Sequence, residues 1–509
     1  MTASHVETER TFELPTGTPL PDLSLDGAVV RAKPRRFSLR ATYYDTEDLV
    51  LARAQVTLRR REGGDDDGWH LKLPLGQDRR RELHRPLGRA SVPVPLRRAL
   101  TPLTMGAVLR PIVEVRTSRT VHLLSDPDGN PLAEVAEDDV SVVRHAAAGS
   151  AAMSVDPDWA IEWQEVEIEL LRGDDDLLEQ LSSRLGNAGA WVSDHQSKLR
   201  RALGDAVPAR HVPPKRLRKG SAGGALWRCL AAQTERLVDR EVGVRLGVED
   251  SVHQMRITAR RLRSALAVCR PLLDEQTARH LEAELRWLGQ QLSEVRDLEV
   301  MQERLLAAIA ADKFAASTRG MASAVRTTLR RSQREASVTA QVALDSPRRA
   351  ALQASLESLL ADPPFTGGGK AMEKAVKVLD KRITRSWRRF AERVATADEE
   401  RGPAHDEALH NVRKAAKRLR YAAELASPTL GKPADKLRSR AQEVQKALGD
   451  YQDSIVARAW YERLGREATS TAAAFGYGRL HAREQSAAAT YVAAYGEAVD
   501  KVRTVSRLR

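Results

Sequence analysis

The stretch His253-Gln254-Met255-Arg256-Ile257-Thr258-Ala259-Arg260-Arg261-Leu262-Arg263 returns as His410-Asn411-Val412-Arg413-Lys414-Ala415-Ala416-Lys417-Arg418-Leu419-Arg420, at a constant offset of 157. Downstream, Leu292-Ser293-Glu294-Val295-Arg296-Asp297 aligns with Leu448-Gly449-Asp450-Tyr451-Gln452-Asp453 at an offset of 156. Matched charge in one block and a second matched block at nearly the same offset indicate one helical unit present twice.

Helix geometry says what the repeat presents. At 100° per residue, His253, Arg256, Arg260 and Arg263 fall within an arc of about 80°. Met255, Ala259, Leu262 and Leu266 collect on the opposite side, as do Val412, Ala416, Leu419 and Ala423 in the second copy. Each helix is therefore expected to bury one face and to present a cationic one. Like charges stacked on one face repel, so the stripe costs stability unless an anion neutralises it. Most charge runs are solvated helix faces, but two copies with matching spacing and matching apolar faces favour stripes that line one groove or tunnel for a polyanion. His253 and His410 lie on those stripes, which makes them candidates for contacts to phosphate oxygens.

Outward from the repeat, long Ala/Leu/Arg/Glu segments with helical periodicity continue, interrupted by Asp362-Pro363-Pro364-Phe365-Thr366-Gly367-Gly368-Gly369. Upstream, the basic, Pro-rich run Val207-Pro208-Ala209-Arg210-His211-Val212-Pro213-Pro214-Lys215 leads into Gly220-Ser221-Ala222-Gly223-Gly224 and reads as a linker. The expected organisation is a domain at 1–205, a linker at 206–220 and a helical domain at 221–509, with repeat units at about 221–361 and 370–509. Charge divides the same way. Residues 1–205 hold 27 Lys+Arg against 33 Asp+Glu, a net of −6; the chain total of 82 against 69 leaves 55 against 36, a net of +19, for the rest. Halves of opposite sign suggest different partners, a polyanion for the second.

At 509 residues the chain is long enough for two or three cores. No apolar run approaches the roughly 18 residues of a membrane span. The start, Met1-Thr2-Ala3-Ser4-His5, lacks a secretory h-region. Two cysteines, Cys229 and Cys269, are too few for a disulfide framework and read as buried apolar residues. These features predict a cytoplasmic protein with no membrane partner.

Residues 1–205 have a β-rich grammar with turns such as Ser125-Asp126-Pro127-Asp128-Gly129-Asn130. Strand alternation puts Thr57, Arg59 and Arg61 on one face, His70 and Lys72 on one face, and Glu165, Glu167 and Glu169 on another; Glu7 and Glu9 alternate likewise. A half-wet sheet explains any one such strand. Several charged faces of both signs favour a barrel that turns them inward, where carboxylates and cations suit a metal triphosphate.

The helical half resembles the CHAD family, the conserved histidine α-helical domain, from about residue 220 to the end. The two motifs His253 to Arg263 and His410 to Arg420, with Tyr421 following, carry the likeness. It implies a helical bundle with internal pseudo-two-fold symmetry that binds inorganic polyphosphate through His253, Arg256, Arg260, Arg261, Arg263, His410, Arg413, Lys414, Lys417, Arg418, Arg420 and Tyr421. Residues 5–203 resemble the CYTH or triphosphate tunnel metalloenzyme family of adenylyl cyclases, thiamine triphosphatases and inorganic triphosphatases. The likeness rests on Glu7-Thr8-Glu9-Arg10-Thr11-Phe12, Tyr44-Asp45-Thr46, Leu58-Arg59-Arg60-Arg61, Leu71-Lys72-Leu73, Glu165-Val166-Glu167-Ile168-Glu169 and Ser197-Lys198. It implies a two-domain α+β chain whose first domain is a closed antiparallel eight-stranded β-barrel. By the same likeness Glu7, Glu9, Asp138, Glu165, Glu167 and Glu169 hold Mg²⁺ or Mn²⁺, while Arg59, Arg61, Lys72, Arg116, Arg119 and Lys198 grip phosphates.

The chain departs from the family's Glu-x-Glu-x-Lys opening, because the lysine position is Thr11 and Arg10 points to the opposite face. Two functions stay open: a metal-dependent tripolyphosphatase joined to a polyphosphate-binding domain, or a non-catalytic adaptor for polyphosphate chains or granules. Nucleic-acid binding is a weaker third, since a net +19 half attracts any phosphate backbone but offers few aromatics for base stacking.

Overall fold

In a computed structural model the chain forms two compact units, Met1–Arg210 and His211–Arg509. The structure describes residues 3–15, 17–25, 29–30, 33–76, 78–88, 91–144, 161–312, 320–365 and 369–506. Thr366, Gly367 and Gly368 of the expected break, and the last three residues of the second expected repeat unit, lie outside them.

The first unit contains strands β1 (Ala3–Glu13), β2 (Val29–Val30), β3 (Arg35–Asp45), β4 (Thr57–Glu62), β5 (Gly68–Pro74), β6 (Arg79–Arg85), β7 (Arg110–Ser125), β8 (Pro131–Arg144), β9 (Ile161–Leu170) and β10 (Trp191–Val192). Eight of them pair antiparallel in the order β1-β6-β5-β4-β3-β7-β8-β9, and β9 returns to β1, which closes the barrel. Strand β1 closes it by splitting its partners. Its first half pairs with β6, as in Glu7 with Arg80, and its second half with β9, as in Thr11 with Glu167. Closure removes the exposed edges that an open sheet would leave.

Backbone detail holds the β4–β5 hairpin tight. Gly63 has φ +86°, and a Cβ there would lie 2.2 Å from the Ser38 carbonyl oxygen, so only glycine fits. The short helices of this unit are α1 (Val50–Arg53), α2 (Val94–Thr104), α3 (Asp175–Asn187) and α4 (Lys198–Leu203). Leu177, Leu178, Leu181 and Leu185 of α3 cover the outer face of the barrel at Phe12, Leu124, Val135 and Ile168. Leu199, Ala202 and Leu203 of α4 pack with Tyr43, Val113, Val115, Val140, Val142 and Trp163, which fill one end of the interior. Charged side chains dominate the remaining interior, with Phe37, Leu39 and Val121 among them.

The second unit is helical: α5 (Ala222–Arg245), α6 (Ser251–Cys269), α7 (Glu275–Gln291), α8 (Ser293–Ala310), α9 (Met321–Leu344), α10 (Pro347–Ala361), α11 (Ala375–Glu399), α12 (Pro403–Leu430), α13 (Lys432–Arg466) and α14 (Thr471–Ser506). The duplication is visible in the element order. Helices α5, α6, α7 with α8, and α9 correspond to α11, α12, α13 and α14, while α10 stands between the copies. One difference separates them, since the first copy breaks at Leu292 where α13 runs on through Leu448 and Gly449. Met255, Leu262, Leu266, Val412, Ala416, Leu419 and Ala423 are fully buried and Ala259 nearly so, all in one shared core. Burying a Leu or Met side chain is worth about 1.5–3 kcal/mol, which fixes the rotation of both helices and so the direction of their cationic faces. Cys269 is a buried free thiol; Cys229, expected to be buried, is only partly so. No helix among the described residues is long and apolar enough to cross a membrane.

Candidate functional site

Alternation along the barrel strands decides what faces the interior. A cavity of about 390 Å³ there is lined by His5, Glu7, Glu9 and Thr11 of β1, Arg59 and Arg61 of β4, Lys72 of β5, Arg80 and Glu82 of β6, Arg119 of β7, Glu167 and Glu169 of β9, and Lys198 at the start of α4. The Ser197 hydroxyl accepts from the Arg200 amide at 3.1 Å and caps α4. That cap begins the helix at Lys198 and leaves its side chain in the barrel.

Lys198 Nζ sits 2.9 Å from Asp138, 2.5 Å from Glu165 and 2.6 Å from Glu167. Arg119 holds both oxygens of Asp138 at 2.8 and 2.6 Å and also bonds Glu167. Burial works against these charges, but the opposite charges outweigh it: Lys198 and Arg119 are held well above their ordinary ranges, and Glu167 well below its own. At the other side of the cavity Lys72 lies 2.6 Å from Glu7 and 3.1 Å from Glu9. Burial and the neighbouring Glu82 carboxyl nevertheless push Glu7 up to about 8. His70 contacts Glu82 at 2.7 Å. Burial, followed by Arg59 and Arg119, lowers Arg61 to about 9, and Asp66 on the β4–β5 loop pairs with it.

The donor chemistry fits a hard divalent cation. Ligand atoms of Asp138, Glu165 and Glu167 lie within 4.8 Å of one another, as do those of His5, Glu7 and Glu82. Burial and the crowding of Glu9, Glu134 and Glu167 raise Glu169 to about 7 despite Lys72. Surplus negative charge of this kind is what a bound cation offsets.

The expected tunnel residues Arg59, Arg61, Lys72, Arg119, Lys198, Glu7, Glu9, Asp138, Glu165, Glu167 and Glu169 all belong to this interior. Arg116 does not. It lies an odd number of residues from Arg119 on β7, so its side chain leaves the barrel, where it is exposed and bonds Glu114 at 2.9 Å. Sequence reasoning missed His5, Arg80, Glu82 and Glu134. Arg80 and Glu82 alternate along Arg79-Arg80-Arg81-Glu82, but charged residues occupy both faces there, so no contrast in polarity marks the inward pair.

In the helical unit the two stripes converge. Arg260 of α6 acts on both Arg413 and Lys417 of α12, and Arg418 of α12 acts on Arg263 of α6. Burial, then Arg413, Arg260 and Arg256, lowers Lys417 to about 7. Burial and neighbouring cations also lower His253, His410, Arg263 and Arg413. Some of the charge is matched internally. Arg256 bonds Asp297 at 3.0 Å and the Ser293 carbonyl at 3.2 Å, two residues of the second repeated block. Asp453, its counterpart, supports Arg413 electrostatically. Arg261 pairs with Glu424 at 2.7 Å and ties α6 to α12. Lys414 and Arg418 are exposed, His410 meets Gln452 at 3.1 Å and Arg420 bonds Gln445 at 3.0 Å. Tyr421 is buried with the Arg420 guanidinium 5.0 Å from its ring centre, so it sits outside the exposed cationic surface.

A closed barrel lined by facing cations and carboxylates, followed by a duplicated helical unit with two converging basic faces, defines a two-domain class. Residues 5–201 match the CYTH domain and residues 228–462 match the CHAD domain. An uncharacterised protein of Mycobacterium tuberculosis, strain H37Rv, is 34% identical over 504 residues, 95% of this chain and 93% of that protein. The chain belongs to the family in which a CYTH domain precedes a CHAD domain. Among solved structures it is similar to PptA from Streptomyces chartreusis, at 22% identity and TM-score 0.47 over 55% of this chain and 99% of that one. The CHAD domain from the plant Ricinus communis gives 22% identity and TM-score 0.45 over 58% and 96%. A Hippeastrum protein described as having a dominant triphosphatase activity gives 15% identity and TM-score 0.25 over 39% and 95%.

Proposed function

We propose that the barrel hydrolyses tripolyphosphate or a related triphosphate and that the helical domain binds inorganic polyphosphate. The observation that carries the first half is the mixture of buried cations and carboxylates around a single cavity. Arg59, Arg61, Lys72 and Arg119 supply positive charge to phosphoryl oxygens, and arginine's fork matches pairs of them. Lys72, Arg119 and Arg61 are held by carboxylates before substrate arrives, and Arg59 lies in the field of Glu82 and Glu167 and bonds Tyr43, so little reorganisation accompanies the charge that develops on the leaving phosphate. Apolar packing by α4 at one end limits entry of bulk water. Asp138, Glu165, Glu167 and Glu169, with Glu9, would hold Mg²⁺ or Mn²⁺, which supplies Lewis-acid polarisation and an acidified water. In the helical domain, Arg260, Arg263, Arg413 and Lys417 crowd one region and gain from a polyanion there.

The test is phosphate release from tripolyphosphate, ATP and thiamine triphosphate with Mg²⁺ or Mn²⁺. No release from any of them removes the enzymatic half. Titration of the full chain with polyphosphate of defined length tests the binding half, with single-stranded RNA as competitor at physiological salt. Preference for RNA would turn the assignment toward nucleic acid. A second reading, a non-catalytic polyphosphate or granule adaptor, is favoured by Thr11 alone, which places no charge where the family motif has lysine.

A further inference from the structure

We infer that Arg80 is the phosphate-gripping cation that makes good the charge missing at Thr11, so that the tunnel is complete by a different route. The inference rests on the triphosphate reading of the barrel.

Thr11 faces the cavity opposite Glu167 and brings no charge. Arg10 cannot replace it, because alternation turns its side chain outward, where it bonds Asp78, Glu179 and Ser182. The neighbouring strand supplies the alternative. Register pairs Glu7 with Arg80, and alternation along β6 then sends Arg80 inward with Glu82, while Arg79 goes outward to Asp175. Arg80 lines the cavity with its side chain only 12% exposed, and its Nε lies 3.1 Å from Glu9. Glu9 is the inward residue immediately before Thr11 on β1. A lysine at position 11 and an arginine at position 80 therefore approach Glu9 from two directions, one along its own strand and one across the ladder.

The chemistry of the replacement is not neutral. Arg80 meets Glu9 through Nε, the nitrogen nearest the chain, and a guanidinium also carries two terminal nitrogens in a planar fork. That fork can take two phosphoryl oxygens, whereas lysine offers a mobile point charge. The tunnel then holds Arg59, Arg61, Lys72, Arg80, Arg119 and Lys198, and Thr11 is no sign of lost function.

The experiment uses the full chain as wild type, Arg80→Ala, Arg80→Gln, Thr11→Lys and the double variant Thr11→Lys/Arg80→Ala. Steady-state phosphate release from tripolyphosphate is measured with Mg²⁺ and Mn²⁺, beside thermal unfolding of each variant. Removing one preorganised electrostatic contact costs about 10²–10³ in rate, so Arg80→Ala should lose about that factor in kcat/KM. Arg80→Gln, which keeps the bulk, should lose as much; Thr11→Lys alone should give no gain, and the double variant should recover most of the loss. Wild-type rates in Arg80→Gln, or no recovery in the double variant, would overturn the assignment. A wild type that is inactive while Thr11→Lys is active would also overturn it, and would leave the triphosphate reading standing. Inactivity in wild type and Thr11→Lys alike would sink that reading, and the inference with it.

Discussion

Lys198 contacts three carboxylates, each within 2.9 Å, and its side chain is only 7% exposed. Removing one member of a buried ion cluster leaves uncompensated charge and costs about 3–5 kcal/mol. Lys198→Met should therefore lower the unfolding midpoint of the barrel and abolish hydrolysis, and added Mn²⁺ should restore part of the midpoint because a divalent cation can offset Asp138, Glu165 and Glu167. Thermal unfolding with and without Mn²⁺ checks this; an unchanged midpoint in Lys198→Met would show that the cluster contributes nothing to stability. Position 198 was readable from sequence only through the family motif Ser197-Lys198, since a lone lysine carries no pattern. Arg59, by contrast, is marked by alternation with Val56, Thr57 and Leu58, and Arg61 follows it on the same face. Arg116 was misassigned because a motif gives neighbourhood without register, and one residue of register reverses the face. Arg80 and Glu82 stayed hidden behind Arg79 and Arg81 for the complementary reason.

Between helices α6 and α12 the question is whether position or bulk charge governs binding. Arg256 and Arg413 occupy matched positions on the two stripes, and Lys501 and Arg503 lie on α14 as a control pair. A charge-assisted contact is worth about 1.5–3 kcal/mol, so Arg256→Glu/Arg413→Glu should weaken polyphosphate binding by roughly 10²-fold or more. Lys501→Glu/Arg503→Glu should weaken it much less in the same titration, and equal losses would mean that only net charge matters. Lys417 adds a pH dependence. It is faced by Arg413 on its own helix, by Arg256 and Arg260 from α6 and by Asp453 from α13, and burial together with these cations lowers its ammonium to about 7. A polyanion favours the charged form, so affinity should be highest below pH 7 and fall as pH rises through it. Lys417→Arg, which stays charged, should flatten the profile between pH 6 and 8. The linkage to stability has the opposite sense: a lysine whose folded pKa is depressed binds fewer protons than in the unfolded chain, so folding gains stability as pH rises from about 7 toward its ordinary 10.5. The helices themselves were legible because helical periodicity separates Met255, Ala259 and Leu262 from the arginines. The break at Leu292 was not. Intrinsic propensity points the wrong way there, since Ser293 begins a new helix in the first copy while Gly449, a poorer helix former, lies inside an unbroken one. Packing decided it.

For the whole molecule, the separate cores of residues 1–210 and 211–509 make two sites that can be read independently. The change of charge sign near residue 205 and the Pro-rich segment predict a linker at 206–220; the two compact units divide between Arg210 and His211, and His211 belongs to the helical unit through its bonds to Glu235 and Glu357 at 2.8 and 2.9 Å. A ligand that binds only the folded form stabilises its own domain by RT ln(1 + [L]/Kd), about 2.7 kcal/mol at a hundredfold excess over Kd. Calorimetry of the full chain should therefore resolve two transitions that respond to different variants. Long polyphosphate should raise the helical transition in the wild type and lose that effect in Arg256→Glu/Arg413→Glu. Tripolyphosphate with Mg²⁺ should raise the barrel transition and lose that effect in Arg119→Ala, while the stripe variant leaves it intact. The assignments are separable because each variant lies within a single unit. If Arg119→Ala instead abolished stabilisation by long polyphosphate, the barrel and not the converging stripes would be the polymer's binding site.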